Sequence, residues 1–130
     1  MRARRAVVAG HAQFADGMLS AVRQIVGDAG TLVGVTNSGA SGEEIERRLR
    51  DALADSGASV IFTDLPAGSC TMAARRLQRA DPSLTVVVGA NVPAILDFVM
   101  GEDAEAGALA SRAVDRGRTA LVLVQPPTPR

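Results

Sequence analysis

Short, continuous apolar runs alternate along this chain with segments whose apolar residues recur at helical spacing, and that alternation leaves few folds open to it. Arg5–Gly10, Thr31–Thr36, 58–63, 84–88 and 119–124 read as strands. Most are unbroken apolar runs, the pattern of strands covered on both faces. Between the first two, Phe14, Met18, Val22, Ile25 and Val26 repeat at helical spacing, with Gly27 as a stop. Ser41 caps a second helix, with Glu44 completing a capping box and Ile45, Leu49, Ala52 and Leu53 as its buried stripe. A third helix is expected over 69–79, ending before Pro82, and a fourth over Val92–Met100. A fifth is expected over 103–116, with a weak stripe from Leu109, Ala113 and Val114 and with Gly117 ending it. Strand–helix alternation of this kind specifies an α/β layered fold with a mostly parallel sheet and right-handed crossovers.

Composition narrows what such a fold can do. The 130 residues make one ordinary domain, with a tail over 125–130 too rich in proline for a regular element. That tail reads as a disordered end or the stub of a linker. Aromatic residues are limited to three Phe, which argues against stacking platforms for single-stranded nucleic acid. Fourteen basic and 14 acidic residues cancel, so no strong field favours nucleic acid or anionic membranes. Cys70 stands alone, which leaves no internal disulfide and no cysteine-based metal cluster. No segment approaches the roughly 20 apolar residues of a membrane helix, and none resembles a signal peptide. A cytoplasmic protein is the expectation.

The single histidine, His11, follows the first strand, where open α/β sheets place their ligands. Imidazole, with an unperturbed pKa of about 6.5, can act as base, nucleophile or phosphoryl carrier near neutral pH. Two further strand-end loops should share its edge: 63–70 after the third strand, and 89–93 after the fourth. In the first of these, Pro66 and Gly68 shape a turn and Ser69 opens a helix, whose free amides and dipole favour phosphate. Asp64 leaves the strand beside them and can accept a hydrogen bond from one imidazole nitrogen, leaving the other nucleophilic. A histidine, an orienting carboxylate and an anion cradle together suit phosphoryl transfer through a phosphohistidine.

Gly10-His11 with Phe14-Ala15-Asp16-Gly17-Met18, Thr63-Asp64-Leu65 with Gly68-Ser69, and Gly89-Ala90-Asn91-Val92-Pro93 occur in that order. Together they resemble the mannose-type enzyme IIA component of the bacterial phosphoenolpyruvate-dependent sugar phosphotransferase system, over about residues 7–124. The resemblance implies a three-layer sandwich with a parallel sheet of order 2-1-3-4. It also implies a C-terminal antiparallel strand exchanged across a homodimer, which 119–124 matches. By the same resemblance His11 is phosphorylated at Nε2 and Asp64 is bonded to Nδ1. Gly68, Ser69 and Cys70 hold the phosphoryl group, and Ala12, Pro66 and Asn91 line the site. The implied donor is the histidine-containing phosphocarrier protein. The acceptor is a IIB component serving a membrane IIC/IID permease, and no metal or other cofactor is expected.

The chain departs from the family's pattern at several of these positions. Ala67-Gly68-Ser69-Cys70 replaces the usual Gly-Gly-Ser-Pro or Gly-Gly-Thr-Pro, adding a Cβ near the phosphate site. Pro66 stands where a large apolar residue is common, Met72 where Asn is, and Ala12 where Gly is. Taken singly, Asp64 is also a turn residue, Ser69 an N-cap, and Asn91 with Pro93 a strand end and helix start. Cys70 reads as a small buried residue whose place at a helix start would lower its pKa. Two rival functions stay open: the phosphotransfer subunit of a dihydroxyacetone kinase, and a non-catalytic regulatory or binding module.

Overall fold

The computed structural model describes residues 4–28, 31–102 and 105–129. Strands β1 (Arg5–Gly10), β2 (Thr31–Thr36), β3 (Val60–Thr63) and β4 (Thr85–Val87) alternate with helices α1 (Phe14–Val26), α2 (Gly42–Ser56), α3 (Ser69–Ala80) and α4 (Val92–Met100), and α5 (Ala106–Ala120) follows. The four strands form one sheet of order β2-β1-β3-β4, the order expected. All pairs are parallel, with Arg5 opposite Thr31, Ala6 opposite Val60, and Val60 opposite Thr85.

Two apolar cores make the three layers. Ala6, Val8, Val60 and Phe62 face α1, α4 and α5, where Phe62 and Phe98 meet edge to face with centroids 5.3 Å apart. Val7, Ala9 and Ile61 face α2 and α3. Successive strand residues point to opposite faces, so continuous apolar runs are what a doubly covered sheet requires. Among the described residues no helix is long and apolar enough to cross a membrane.

Local signals place most of the element ends. Ser41 Oγ accepts the Glu44 amide at 3.2 Å, while Glu44 Oε1 accepts from the Ser41 hydroxyl at 3.3 Å. Gly27 closes α1 with φ of +68°. The strands at 58–63 and 84–88 are trimmed, because the Ala58 amide bonds Ser56 Oγ and the Leu84 amide bonds the Asp81 C=O. Ile25, expected in the α1 stripe, lies exposed in the last turn.

The C-terminal region departs most from expectation. Gly117 does not end the fifth helix; it is buried inside α5. Ala94 packs so close that a Cβ at Gly117 would come within 2.8 Å of it, and Asn91 Nδ2 donates to the Gly117 C=O at 2.9 Å. Packing against α4 thus uses Gly117 as a contact rather than a stop. The helix continues through Thr119 and Ala120, the first two residues of the strand expected at 119–124. Residues 121–129 carry no helix or strand. Asp103, the expected start of this helix, lies outside the described residues.

Candidate active site

Two loops at the carboxyl edge of the sheet meet the end of β1 that carries His11: the loop after β3 through Asp64 and Gly68, and the loop after β2 through Thr36 at its root and Asn37. The His11 side chain is 49% exposed, while that of Asp64, from the end of β3, is only 7% exposed. Asp64 Oδ2 lies 2.7 Å from His11 Nδ1 and accepts the His11 amide N–H at 2.8 Å. The other oxygen, Oδ1, accepts the Leu65 amide at 3.0 Å. The carboxylate is thereby fixed in both position and rotation, and the imidazole is held by an acceptor that favours hydrogen on Nδ1.

This closeness depends on Gly10. A Cβ there would meet Asp64 Oδ2 at 2.9 Å and Phe14 Cδ2 at 2.6 Å. Any side chain at residue 10 would therefore push the carboxylate away from the His11 amide. Burial raises the Asp64 carboxyl, but hydrogen bonds from the His11 amide and imidazole, aided by the imidazole's charge, outweigh it and hold the group below its ordinary value.

The ring lies against the start of α3. A Cβ on Gly68 would stand 3.0 Å from His11 Cε1. Gly68, with extended backbone, is the N-cap and gives no side-chain cap. Ser69 is therefore the first helical residue rather than the cap. The amides of Ser69, Cys70 and Thr71 open the helix, where intrahelical acceptors are lacking and the dipole favours negative charge. Thr71 anchors this turn from beneath, its hydroxyl 2.6 Å from both the Leu65 C=O and Thr63 Oγ1. Pro66 is exposed beside Leu65, on the rim of the turn.

Cys70 is fully buried, and its thiol is pushed up to about 11 by burial and by the Asp64 charge, with Arg48 pulling the other way. Cys70 is thus the small buried residue expected, and loss of solvation raises its thiol where a helix start alone would lower it. Ala12 has φ of +47°, a left-handed conformation at a position where the resembling family commonly has glycine. Its C=O accepts from Thr36 Oγ1 at 2.8 Å. Asn91 is committed elsewhere: Oδ1 caps α4 by accepting the Ala94 amide at 3.0 Å, and Nδ2 reaches α5. None of its hydrogen bonds reaches His11, Asp64 or Ser69.

The residue that sequence reasoning passes over is Asn37. It lies just after β2, in a stretch that reads as a generic Asn-Ser-Gly turn, yet its Nδ2 donates to Ser69 Oγ at 2.9 Å. The available signal was topological, since a strand beside β1 must end its loop at the same edge. Among the described residues no group of three or more His, Cys, Asp or Glu side chains could hold a metal ion.

Among curated proteins no sequence match is found. The solved mannose/sorbose-specific IIA subunit from Enterococcus faecalis superposes with a TM-score of 0.83 at 20% identity, covering 97% of this chain and 98% of that one. A IIA protein associated with the fucose utilization operon of Streptococcus pneumoniae gives 0.75 at 24% identity, covering 92% of each chain. A sigma-54 interaction domain protein from Enterococcus faecalis shares the fold more distantly, with a TM-score of 0.66 at 13% identity over 88% of this chain and 90% of that one. At these identities the structures establish the fold alone. The model of the family described as the phosphotransferase system (PTS) fructose IIA component matches residues 5–114, and the chain belongs to that family.

Proposed function

We propose that this phosphotransferase-system component carries its phosphoryl group on His11 Nε2. In this reading the group comes from the histidine-containing phosphocarrier protein and passes to a IIB component that serves a membrane sugar permease. The observation that carries the reading is the Asp64 clamp: one carboxylate oxygen holds both the amide and Nδ1 of His11. With hydrogen on Nδ1, the Nε2 lone pair attacks the donor's phosphorus. The donor's N–P bond breaks as the new one forms, and the electron pair returns to the donor imidazole. The Nδ1 hydrogen stays bonded to Asp64, whose negative charge stabilises the positive charge developing on the ring. The amides of Ser69 and Cys70 at the α3 start then face the incoming oxygens. Onward transfer reverses these steps with the acceptor's nucleophile.

A half-exposed histidine suits transfer between proteins, because both partners must reach the same nitrogen. The reading places the protein in the cytoplasm as a homodimer. Support for the dimer comes from β4, which ends the sheet with one edge unpaired, and from Leu121, Val122, Leu123 and Val124, which are 84%, 66%, 84% and 82% exposed. Four consecutive exposed apolar residues and an open sheet edge in the same chain suit strand addition between two copies.

The test is incubation with phosphoenolpyruvate, enzyme I and the phosphocarrier, followed by addition of IIB. An acid-labile adduct that His11→Ala abolishes, and that IIB discharges, is expected. An adduct that persists in the variant overturns the assignment. Discharge by an ADP-loaded kinase subunit in place of IIB would move the protein to dihydroxyacetone phosphorylation.

A further inference from the structure

The loop after β2 takes no part in the proposed transfer, yet it is tied both to the end of β1 and to the start of α3. Asn37, its first residue, is half buried and bonded in two directions. Its amide donates to the C=O of Gly10, the residue before His11, at 3.2 Å. Its Nδ2 donates to Ser69 Oγ at 2.9 Å. Arg48, from α2, holds the loop from behind by donating to the C=O of Thr36 at 2.7 Å and of Ser38 at 3.2 Å. Thr36 Oγ1 in turn holds the C=O of Ala12. Asn37 therefore cannot drift without breaking several bonds.

The direction of the Asn37–Ser69 bond has a chemical consequence. A serine hydroxyl has one hydrogen and two lone pairs, and a carboxamide nitrogen only donates. With Oγ accepting from Asn37, Ser69 keeps its single hydrogen, and among the described residues it gives that hydrogen to no protein acceptor. The hydroxyl stands on the first residue of α3, next to Gly68, against which the His11 ring lies.

We infer that Asn37 is a positioning residue that holds Ser69 Oγ as an acceptor and so delivers the Ser69 hydroxyl, already oriented, as a donor to the phosphoryl group on His11. This rests on the reading of His11 as the phosphoryl carrier. Charge in phosphoryl transfer is spread over three equatorial oxygens, and a donor aimed at one of them beforehand needs no reorganisation during the reaction.

The experiment follows transfer from the phosphorylated phosphocarrier to His11, with kcat and KM for the carrier measured separately. The proteins compared are wild type, Asn37→Ala, Ser69→Ala, the double variant and Asn37→Asp. Loss of one oriented donor should lower kcat of Asn37→Ala roughly tenfold with KM unchanged. In the Ser69→Ala background the same substitution should cost nothing more. Asn37→Asp, nearly isosteric, should lose at least as much as Asn37→Ala, because a carboxylate only accepts and takes the Ser69 hydrogen for itself. It carries the comparison if Asn37→Ala fails to fold.

An Asn37→Ala defect equally large in the Ser69→Ala background overturns the inference, as does an Asn37→Asp protein with wild-type kcat. If wild type takes label on His11 and Asn37→Ala matches its kcat, the inference alone falls. If wild type takes no label, or His11→Ala keeps it, the carrier reading falls and the inference with it.

Discussion

Asp64 Oδ2 accepts two hydrogen bonds from one residue, the amide and the Nδ1 of His11, at 2.8 and 2.7 Å. The backbone bond locks the carboxylate to the end of β1, and the side-chain bond then locks the imidazole to the carboxylate. Asn at residue 64 would keep the shape, but its NH2 must face a backbone N–H, that of Leu65 or that of His11; turned toward Nδ1 it also places the ring hydrogen on Nε2, and in either orientation the charge that stabilises the phosphorylated ring is lost. Asp64→Asn should therefore slow His11 phosphorylation on the order of 10⁴-fold, the scale seen when a histidine's orienting carboxylate is neutralised. Quenched-flow labelling checks this; a loss under tenfold would mean the carboxylate does not set the tautomer.

The same pair makes stability depend on pH in one direction. The Asp64 carboxyl is lowered in the folded protein, so its contribution is complete above the unfolded carboxyl range, about pH 4. It is lost as pH falls further, through the folded value. Asp64→Asn should thus be less stable than wild type near pH 7, with the gap narrowing as pH falls below the unfolded carboxyl range. Urea melts at pH 7, 5, 4 and 3 measure the gap, and a gap that widens toward acid would contradict the arrangement.

How much of this was legible in the sequence depends on whether a feature is local. His11, Asp64 and the helix start at Ser69 are visible because each combines a reactive or turn-forming residue with the end of an apolar run. The sheet order cannot be read from periodicity; it came with the resemblance and holds in the structure. Asn37 stayed hidden because its role lies in a contact 32 residues away along the chain. Gly117 misled because a glycine at a helix contact and a glycine at a helix stop look alike in sequence, and only α4 separates them. Cys70 was legible as a small buried residue; the direction of its pKa was not, because burial and a helix start act on a thiol in opposite senses.

Cys70 gives a prediction from that last contrast. A fully buried thiol raised to about 11 is almost wholly protonated at pH 8 and shielded from reagents. Iodoacetamide should label it on the order of 100-fold more slowly in the native protein than in urea. Comparable rates in the two states would place the thiol outside the core.

Ala12 carries backbone strain beside the nucleophile. Left-handed backbone costs an L-residue about 1–2 kcal/mol, while glycine at the same site adds about 0.4–1 kcal/mol of unfolded-state entropy. With φ at +47°, the first effect should win. Ala12→Gly should raise stability by about 0.5 kcal/mol, or about 2 °C in Tm. Calorimetry decides it, and a fall in Tm would mean that the Ala12 methyl contributes packing beyond its strain.

The exposed segment 121–124 supplies the last prediction. Leu121 and Leu123 are each 84% exposed in the single chain, so their burial is available only to an association. Burying a leucine contributes about 1.5–3 kcal/mol, and strand addition to the open edge of β4 would bury these residues twice, once per copy. A carboxylate in their place cannot enter such an interface without a partner. Sedimentation equilibrium should find wild type dimeric at micromolar concentration and the Leu121→Asp/Leu123→Asp variant monomeric, with unchanged far-ultraviolet circular dichroism. A wild type that stays monomeric into the hundreds of micromolar, or a double variant as dimeric as wild type, would remove this segment from any interface.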